Sequence, residues 1–263
     1  MSKIEDALKK VRSQQYQELV KKDTDLDDYH YSDISLMEYD DQVDKDVLSN
    51  HRLLHHDMQN HNILNEFRAL RTTLLQNSKV TNPCIMVYSS SPRAGSSYVA
   101  ANLAAAIALD QKRTSLLISC DIKNTPEYEN LINSPNYGLV DYLSTELNAE
   151  QIIYPVGIKR VRVIPSGVSK GNFSEYFSSH RFHELLDEIK SRYRDRYIIL
   201  DAPSASEAAD IKLLSEFVDY GLLVVPYGRD SMDSINKASR LISKEKLLGI
   251  IINNKPSILN IFS

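Results

Sequence analysis

Between Cys84 and Asn253 the chain alternates short, continuous apolar runs with longer segments whose apolar residues recur every three or four positions. The runs are Cys84–Tyr88 (CIMVY), Thr114–Ile118 (TSLLI), Val161–Ile164 (VRVI), Tyr197–Leu200 (YIIL), Leu222–Val225 (LLVV) and Leu248–Ile252 (LGIII). Uninterrupted Val/Ile/Leu runs of this length predict strands buried on both faces, as in a parallel sheet. Helical spacing follows in the Ala-rich segment that ends at Leu109, then in Phe182–Ile189, Ile211–Phe217 and Ser231–Ser243. Strands alternating with helices predict one α/β domain: a doubly wound, mostly parallel sheet of six or seven strands, with no internal repeat. Upstream, Phe67, Leu70 and Leu74 mark an amphipathic helix that carries Arg68 and Arg71 three positions apart. At the start, Ser2–Gln17 reads as a second amphipathic helix with Ile4, Ala7, Leu8 and Val11 on one face. Ser2 and Glu5 fit its N-terminal capping pattern. Such a helix either packs on its own domain or docks on a partner.

Composition changes the picture mainly between these two helices. Asp23–Asp46 holds ten acidic residues against Lys45 alone, so the remainder of the chain carries a net charge of +5 behind an overall −4. Low hydrophobicity with like charges predicts a disordered linker. The expected organisation is therefore an arm of residues 1–62, helix plus acidic linker, and a domain of residues 63–263. Tyr29, Tyr31 and Tyr39 lie in the linker, as solvated side chains or as phosphorylation sites. His51 and His55 have helical spacing, but His51, His55, His56 and His61 have no cysteine or second pair to complete a metal set. The basic excess forms no stripe with interleaved aromatics, so nucleic acid is not expected as a partner. No apolar run approaches the ~20 residues of a membrane span, and the first ten residues lack a signal region, so a cytoplasmic location is expected. Cys84 and Cys120 both fall in apolar runs and read as small core residues.

Candidate chemistry concentrates in CIMVYSSSPRAGSSYVAANLAAAIAL, residues 84–109, where a strand passes through a Ser/Pro/Gly loop into a helix. This is the order of a phosphate-binding loop, whose pattern G-x-x-x-x-G-K-[ST] uses helix N-terminal amides, a lysine for the β/γ oxygens and a hydroxyl for Mg²⁺. Gly95 and Ser97 keep their places, while the lysine position is Ser96. Asp201 directly follows an apolar run, as the Mg²⁺-ordering carboxylate of such folds does. Ser119-Cys120-Asp121 and Pro165-Ser166-Gly167 close two further strands at the ends where open α/β sheets bind ligands.

Taken in order, the chain resembles the bacterial tyrosine kinases of capsule and exopolysaccharide export. The resemblance is carried by NEFRALRTTLL, SSSPRAGSSYVAANLA, SLLISCDIKNTP, YGLVDYLS, VIPSG, YIILDAPSASEAAD, VDYGLLVV and LGIIINN, with SKIEDALKKVR similar to an N-terminal helix of such proteins. It implies a P-loop fold that takes ATP or ADP around Arg93, Gly95, Ser96, Ser97, Tyr98 and Asn253, with Mg²⁺ at Ser97, Asp121 and Asp201. It also implies protein partners in a polysaccharide synthesis and export complex, recruitment to the inner membrane through such a partner, and self-association. Departures accompany the likeness. Ser96 stands where the family has lysine, Ser119 where it has the acid that accepts the tyrosine proton, and Asn65 at the acid of its E-x-x-R-x-x-R motif. The chain also ends KPSILNIFS, without a tyrosine cluster. A lysine–phosphate contact contributes roughly 1.5 to 3 kcal/mol, and a general base contributes roughly 10²- to 10⁴-fold. Together these losses point to a pseudokinase that regulates or scaffolds polysaccharide export and binds nucleotide weakly or not at all. The alternatives are a weak tyrosine autokinase with Arg93 as substitute cation, or a positioning ATPase of the partitioning and division-site kind, whose signature lysine falls at Ser91.

Overall fold

Each of the six apolar runs is a strand, and a seventh, very short strand joins them. In chain order they are β1 (Cys84–Ser89), β2 (Thr114–Ser119), β3 (Tyr154–Pro155), β4 (Val161–Ile164), β5 (Arg196–Ser204), β6 (Tyr220–Pro226) and β7 (Leu247–Asn253). They form one sheet in the order β3-β4-β2-β5-β1-β6-β7, parallel throughout except for the β3–β4 pair. The computed structural model describes residues 45–55, 58, 61–167, 176–192 and 195–254. The expected Ser2–Gln17 helix, Tyr29, Tyr31, Tyr39, His56 and nearly all of the acidic stretch lie outside these residues.

Successive side chains of a strand point to opposite faces, and each buried strand therefore feeds two cores. Ile85 and Val87 of β1, Leu117 of β2 and Ile199 of β5 face α2 (His61–Asn77) and α3 (Ser96–Ala108). Met86, Tyr88, Leu116, Ile118, Ile198 and Leu200 face the opposite layer. That layer contains α4 (Leu139–Ser144), α5 (His180–Arg192), α6 (Ala208–Phe217) and α7 (Met232–Ser239). From Val99 to Ala108 every residue of α3 is buried, because its alanines leave room for the sheet on one side and α2 on the other. Cys84 and Cys120 are free and buried, and burial pushes the Cys84 thiol up to about 12.

Three boundaries differ from the pattern-based expectation. β5 runs on past Leu200 to Ser204, with a register shift opposite Val87 and Ser89 where Pro203 enters the strand; proline cannot donate to a ladder and is tolerated at such irregularities. The helix expected over Ser231–Ser243 ends at Ser239, with Arg240 and Leu241 already in turns. The packed body also begins before residue 63. A short helix, α1 (Lys45–Asn50), precedes a turn at His51–Arg52, and Leu48, Leu53 and Leu54 are buried in the α2–α3 core. Asn102 of α3 holds this segment, accepting from Leu54 N–H at 2.8 Å and donating to the Arg52 carbonyl at 3.2 Å. Three leucines at the end of a charged stretch are too few to show as a periodic signal. His51 consequently lies in a turn rather than on a helix face, and the His55 ring nitrogen Nε2 lies 3.0 Å from the Ser49 hydroxyl.

Candidate functional site

The carboxyl ends of β1, β2 and β5 meet at the middle of the sheet. In register, Asp201 lies beside Val87 on one side and Ser119 on the other, and Cys120 N–H donates to the Asp201 carbonyl at 2.8 Å. Above these ends opens a cleft of about 2250 Å³. Arg93, Gly95, Ser96, Ser97 and Tyr98 line it, as do Asp121 and Asn253, so backbone topology gathers seven of the sequence-derived site residues in one place.

The phosphate loop is built by backbone conformation. Gly95 is left-handed (φ +92°) and caps α3, and Arg93 is also left-handed (φ +58°). First-turn amides of a helix have no intrahelical acceptor, so the α3 N-terminus offers them to an anion. Asn253, at the end of β7, donates from Nδ2 to the Ala94 carbonyl at 2.9 Å. A Cβ on Gly95 would approach that same Nδ2 to 2.2 Å. Glycine is therefore required both by φ and by the close approach of β7. Tyr98 turns away from the loop and packs edge-to-face on Phe67 of α2, with ring centroids 6.0 Å apart.

The outer side of the loop is held by two residues that the sequence pattern did not single out. Asp230, just beyond β6, accepts from the Ser90 and Ser91 hydroxyls at 2.5 and 2.6 Å. Burial works against its ionisation, but these hydrogen bonds and Arg229 outweigh it and hold the carboxyl below its ordinary value. Arg229 donates to Ser91 Oγ at 2.5 Å and to the Pro92 carbonyl at 2.8 Å. Its guanidinium thus braces the back of the loop, while Arg93 is an exposed cation on the cleft side. Only a charged pair three and four residues past the end of β6 signalled this brace, and such pairs are common in loops.

The acidic corner is arranged differently from the loop. Asp121 is half-buried and lines the cleft, and Asn124 Nδ2 donates to both of its oxygens at 3.0 and 3.1 Å. Burial raises its pKa, and the Asn124 hydrogen bonds partly reverse this. Ser119 and Asp201 are fully buried (0% exposed) and lie beneath the cleft floor. Tyr128, on a short 3₁₀ turn over Glu127–Leu131, forms that floor and donates its hydroxyl to Asp201 Oδ2 at 2.9 Å. Burial pushes Asp201 up to about 7, against the pull of the facing Ser97 and Tyr128 hydroxyls. Asp201 Oδ1 and Ser119 Oγ have no hydrogen-bond partner.

No family model matches the chain. It is 29% identical over 193 residues to the tyrosine-protein kinase YwqD of Bacillus subtilis, covering 72% of this chain and 80% of that one. Over 196 residues it is 26% identical to the tyrosine-protein kinase ptk of Acinetobacter johnsonii, and there it spans only 26% of the relative's length. The chain is similar in sequence to bacterial tyrosine-protein kinases. Its fold superposes on the chimerical protein CapA2B2 with a TM-score of 0.70 and 26% identity, over 82% of this chain and 100% of that one. The septum site-determining protein MinD of Pyrococcus horikoshii, solved with Mg-ADP, shares the fold at a TM-score of 0.52 and 18% identity, over 65% and 70% of the two chains.

Against the kinase pattern, the loop end of the site fits a nucleotide's phosphates: a left-handed glycine, a helix N-terminus and an asparagine brace. The metal end fits less well. Ser97, Asp121 and Asp201 converge on one corner, yet Tyr128 is bonded to one Asp201 oxygen and Asn124 to both Asp121 oxygens. Among the described residues, no three His, Cys, Asp or Glu side chains are grouped so as to hold a metal ion. No described helix is long and apolar enough to cross a membrane.

Proposed function

We propose that the chain is a pseudokinase-like member of this family, a non-catalytic regulator or scaffold in bacterial exopolysaccharide or capsule synthesis and export. The observation that carries the reading is the pair Ser96 and Ser119. The loop geometry is intact, while the position of the phosphate-facing lysine and that of the tyrosine-activating base both hold hydroxyls. Arg229 is committed to the outside of the loop. A fold that keeps its cleft without these two charges is suited to binding and recruitment rather than phosphoryl transfer. The segment ahead of α1, residues 1–44, would tether the domain to a protein partner at the inner membrane, raising its local concentration there. Phosphotyrosine immunoblotting of the purified full chain after incubation with ATP and Mg²⁺ tests this. No signal is expected, and a signal that Ser97→Ala removes would establish a kinase instead. In cells, Leu8→Asp, on the apolar face expected for the first helix, should reproduce the loss of polysaccharide caused by gene deletion.

A further inference from the structure

The cleft floor supplies an inference that rests on the reading of a phosphate site without phosphoryl transfer. Tyr128 lines the cleft, whereas Asp201 and Ser119 lie below it with no exposed surface. The phenol is 5% exposed and is packed among core residues, with its hydroxyl on Asp201 Oδ2. The turn that carries it is fixed at its centre. Glu129 accepts from the Ser166 amide at 2.9 Å and faces the Ser166 hydroxyl at 3.3 Å, tying the turn to the end of β4. Ile132 N–H closes the turn on the Glu129 carbonyl at 3.0 Å. The ring is therefore part of the packed floor, unlike a side chain free to swing aside.

The ring also has a reason to sit there. A second carboxylate at position 119, adjacent to Asp201 across the β2–β5 register, would place two buried acids side by side, and a cation between them would be needed to offset their repulsion. With serine at that position the corner carries a single buried carboxylate. One neutral donor can satisfy part of it without a metal, and Tyr128 is that donor. Its own pKa is raised by burial and by Asp201, so it remains a protonated donor throughout the neutral range.

We propose that Tyr128 is a fixed plug that seals the acidic corner from divalent cations, so that a nucleoside diphosphate or triphosphate enters this cleft without Mg²⁺. Mg²⁺ demands near-octahedral oxygen ligation and keeps several waters. The floor offers it neither an exposed Asp201 oxygen nor space for a water between that oxygen and the ring. The phosphates would then be held by the α3 amides and Arg93.

The test uses the full chain and its Tyr128→Ala variant, which takes both the ring and its hydroxyl out of the cleft floor. Two measurements are made on each: calorimetric titration with ADP in EDTA and in MgCl₂, and Mn²⁺ titration followed by electron paramagnetic resonance. The wild-type protein is expected to show no saturable Mn²⁺ site, and any ADP affinity should agree within about twofold between the two buffers. Tyr128→Ala should gain a Mn²⁺ site that Asp201→Asn removes. It should also bind ADP at least about tenfold more tightly with Mg²⁺, a change of ~1.4 kcal/mol. A saturable Mn²⁺ site in the wild-type protein overturns the proposal, as does a folded Tyr128→Ala protein that stays indifferent to both metals. Should the variant fail to fold, the wild-type Mn²⁺ titration decides alone. Phosphotyrosine formation bears on the reading of function and leaves the metal measurements untouched, so the two can fail separately.

Discussion

At the scale of single residues, the site is governed by what each side chain exchanges for its hydration. Asp201 is fully buried with one oxygen unpartnered, and its pKa rises from 3.8 to about 7. Between those values the folded state holds a proton that the unfolded chain has released. Stability from this group is therefore greatest in acid, falls as pH rises through the window, and levels off above it, with a slope of at most ~1.4 kcal/mol per pH unit. Urea midpoints measured from pH 4 to pH 8 should show this fall in the wild-type protein and a shallower one in Asp201→Asn; parallel profiles would refute the assignment. Ser96 sets the affinity of the loop. Ser96→Lys should bind ATP at least tenfold more tightly by calorimetry, given ~1.4 kcal/mol per decade. Equal affinities would show that the missing charge is supplied by another group. Gly95→Ala should abolish that gain when combined with Ser96→Lys. It strains a left-handed position by ~1 to 2 kcal/mol and forces Asn253 off the Ala94 carbonyl.

Among the elements, α3 has the most partners. Its C-terminal carbonyls are capped by two arginines from elsewhere: Arg71 of α2 donates to Ala106 at 3.0 Å, and Arg160 donates to Ala108 at 2.8 and 3.1 Å. Cations at this end also complement the helix dipole. Arg71, at the last position of the E-x-x-R-x-x-R pattern, is thus half-buried against α3, and desolvation lowers its pKa. Asn102 performs the matching task for the α1 segment. Asn102→Ala leaves the Leu54 amide without its partner, which costs ~1 to 3 kcal/mol. Denaturant unfolding should register that loss, and amide exchange at Leu53 and Leu54 should accelerate more than exchange in β1. Unchanged exchange there would mean that the three buried leucines suffice to hold the segment.

For the molecule as a whole, the body extends upstream of the boundary suggested by composition, because Leu48, Leu53 and Leu54 belong to its core. Limited proteolysis should therefore leave a resistant fragment that begins before Leu48, and a chain truncated to Ile63 should melt at a lower temperature. A resistant fragment beginning at Ile63 would place the α1 segment outside the cooperative unit. The alternation of continuous apolar runs with helically spaced segments determined the α/β class, the parallel sheet and the six principal strands, because central parallel strands covered on both faces read as mostly apolar runs, although β7 at the edge leaves Ile250 and Ile252 exposed. The same local reading located Gly95, Ser97, Asp121 and Asp201, since ligands gather where strands end. It also exposed the missing charges at Ser96 and Ser119, which are facts of residue identity. Only the tertiary structure decided which side chains fill the spaces those residues border. Tyr128 reaches Asp201 from 73 positions away, Arg229 and Asp230 reach Ser91 from 138 and 139, and Asn253 reaches Ala94 from 159. No local period encodes such contacts. They arise because the crossovers of the sheet bring the ends of β1, β2, β5, β6 and β7 to one edge, where packing rather than sequence distance sets which groups meet.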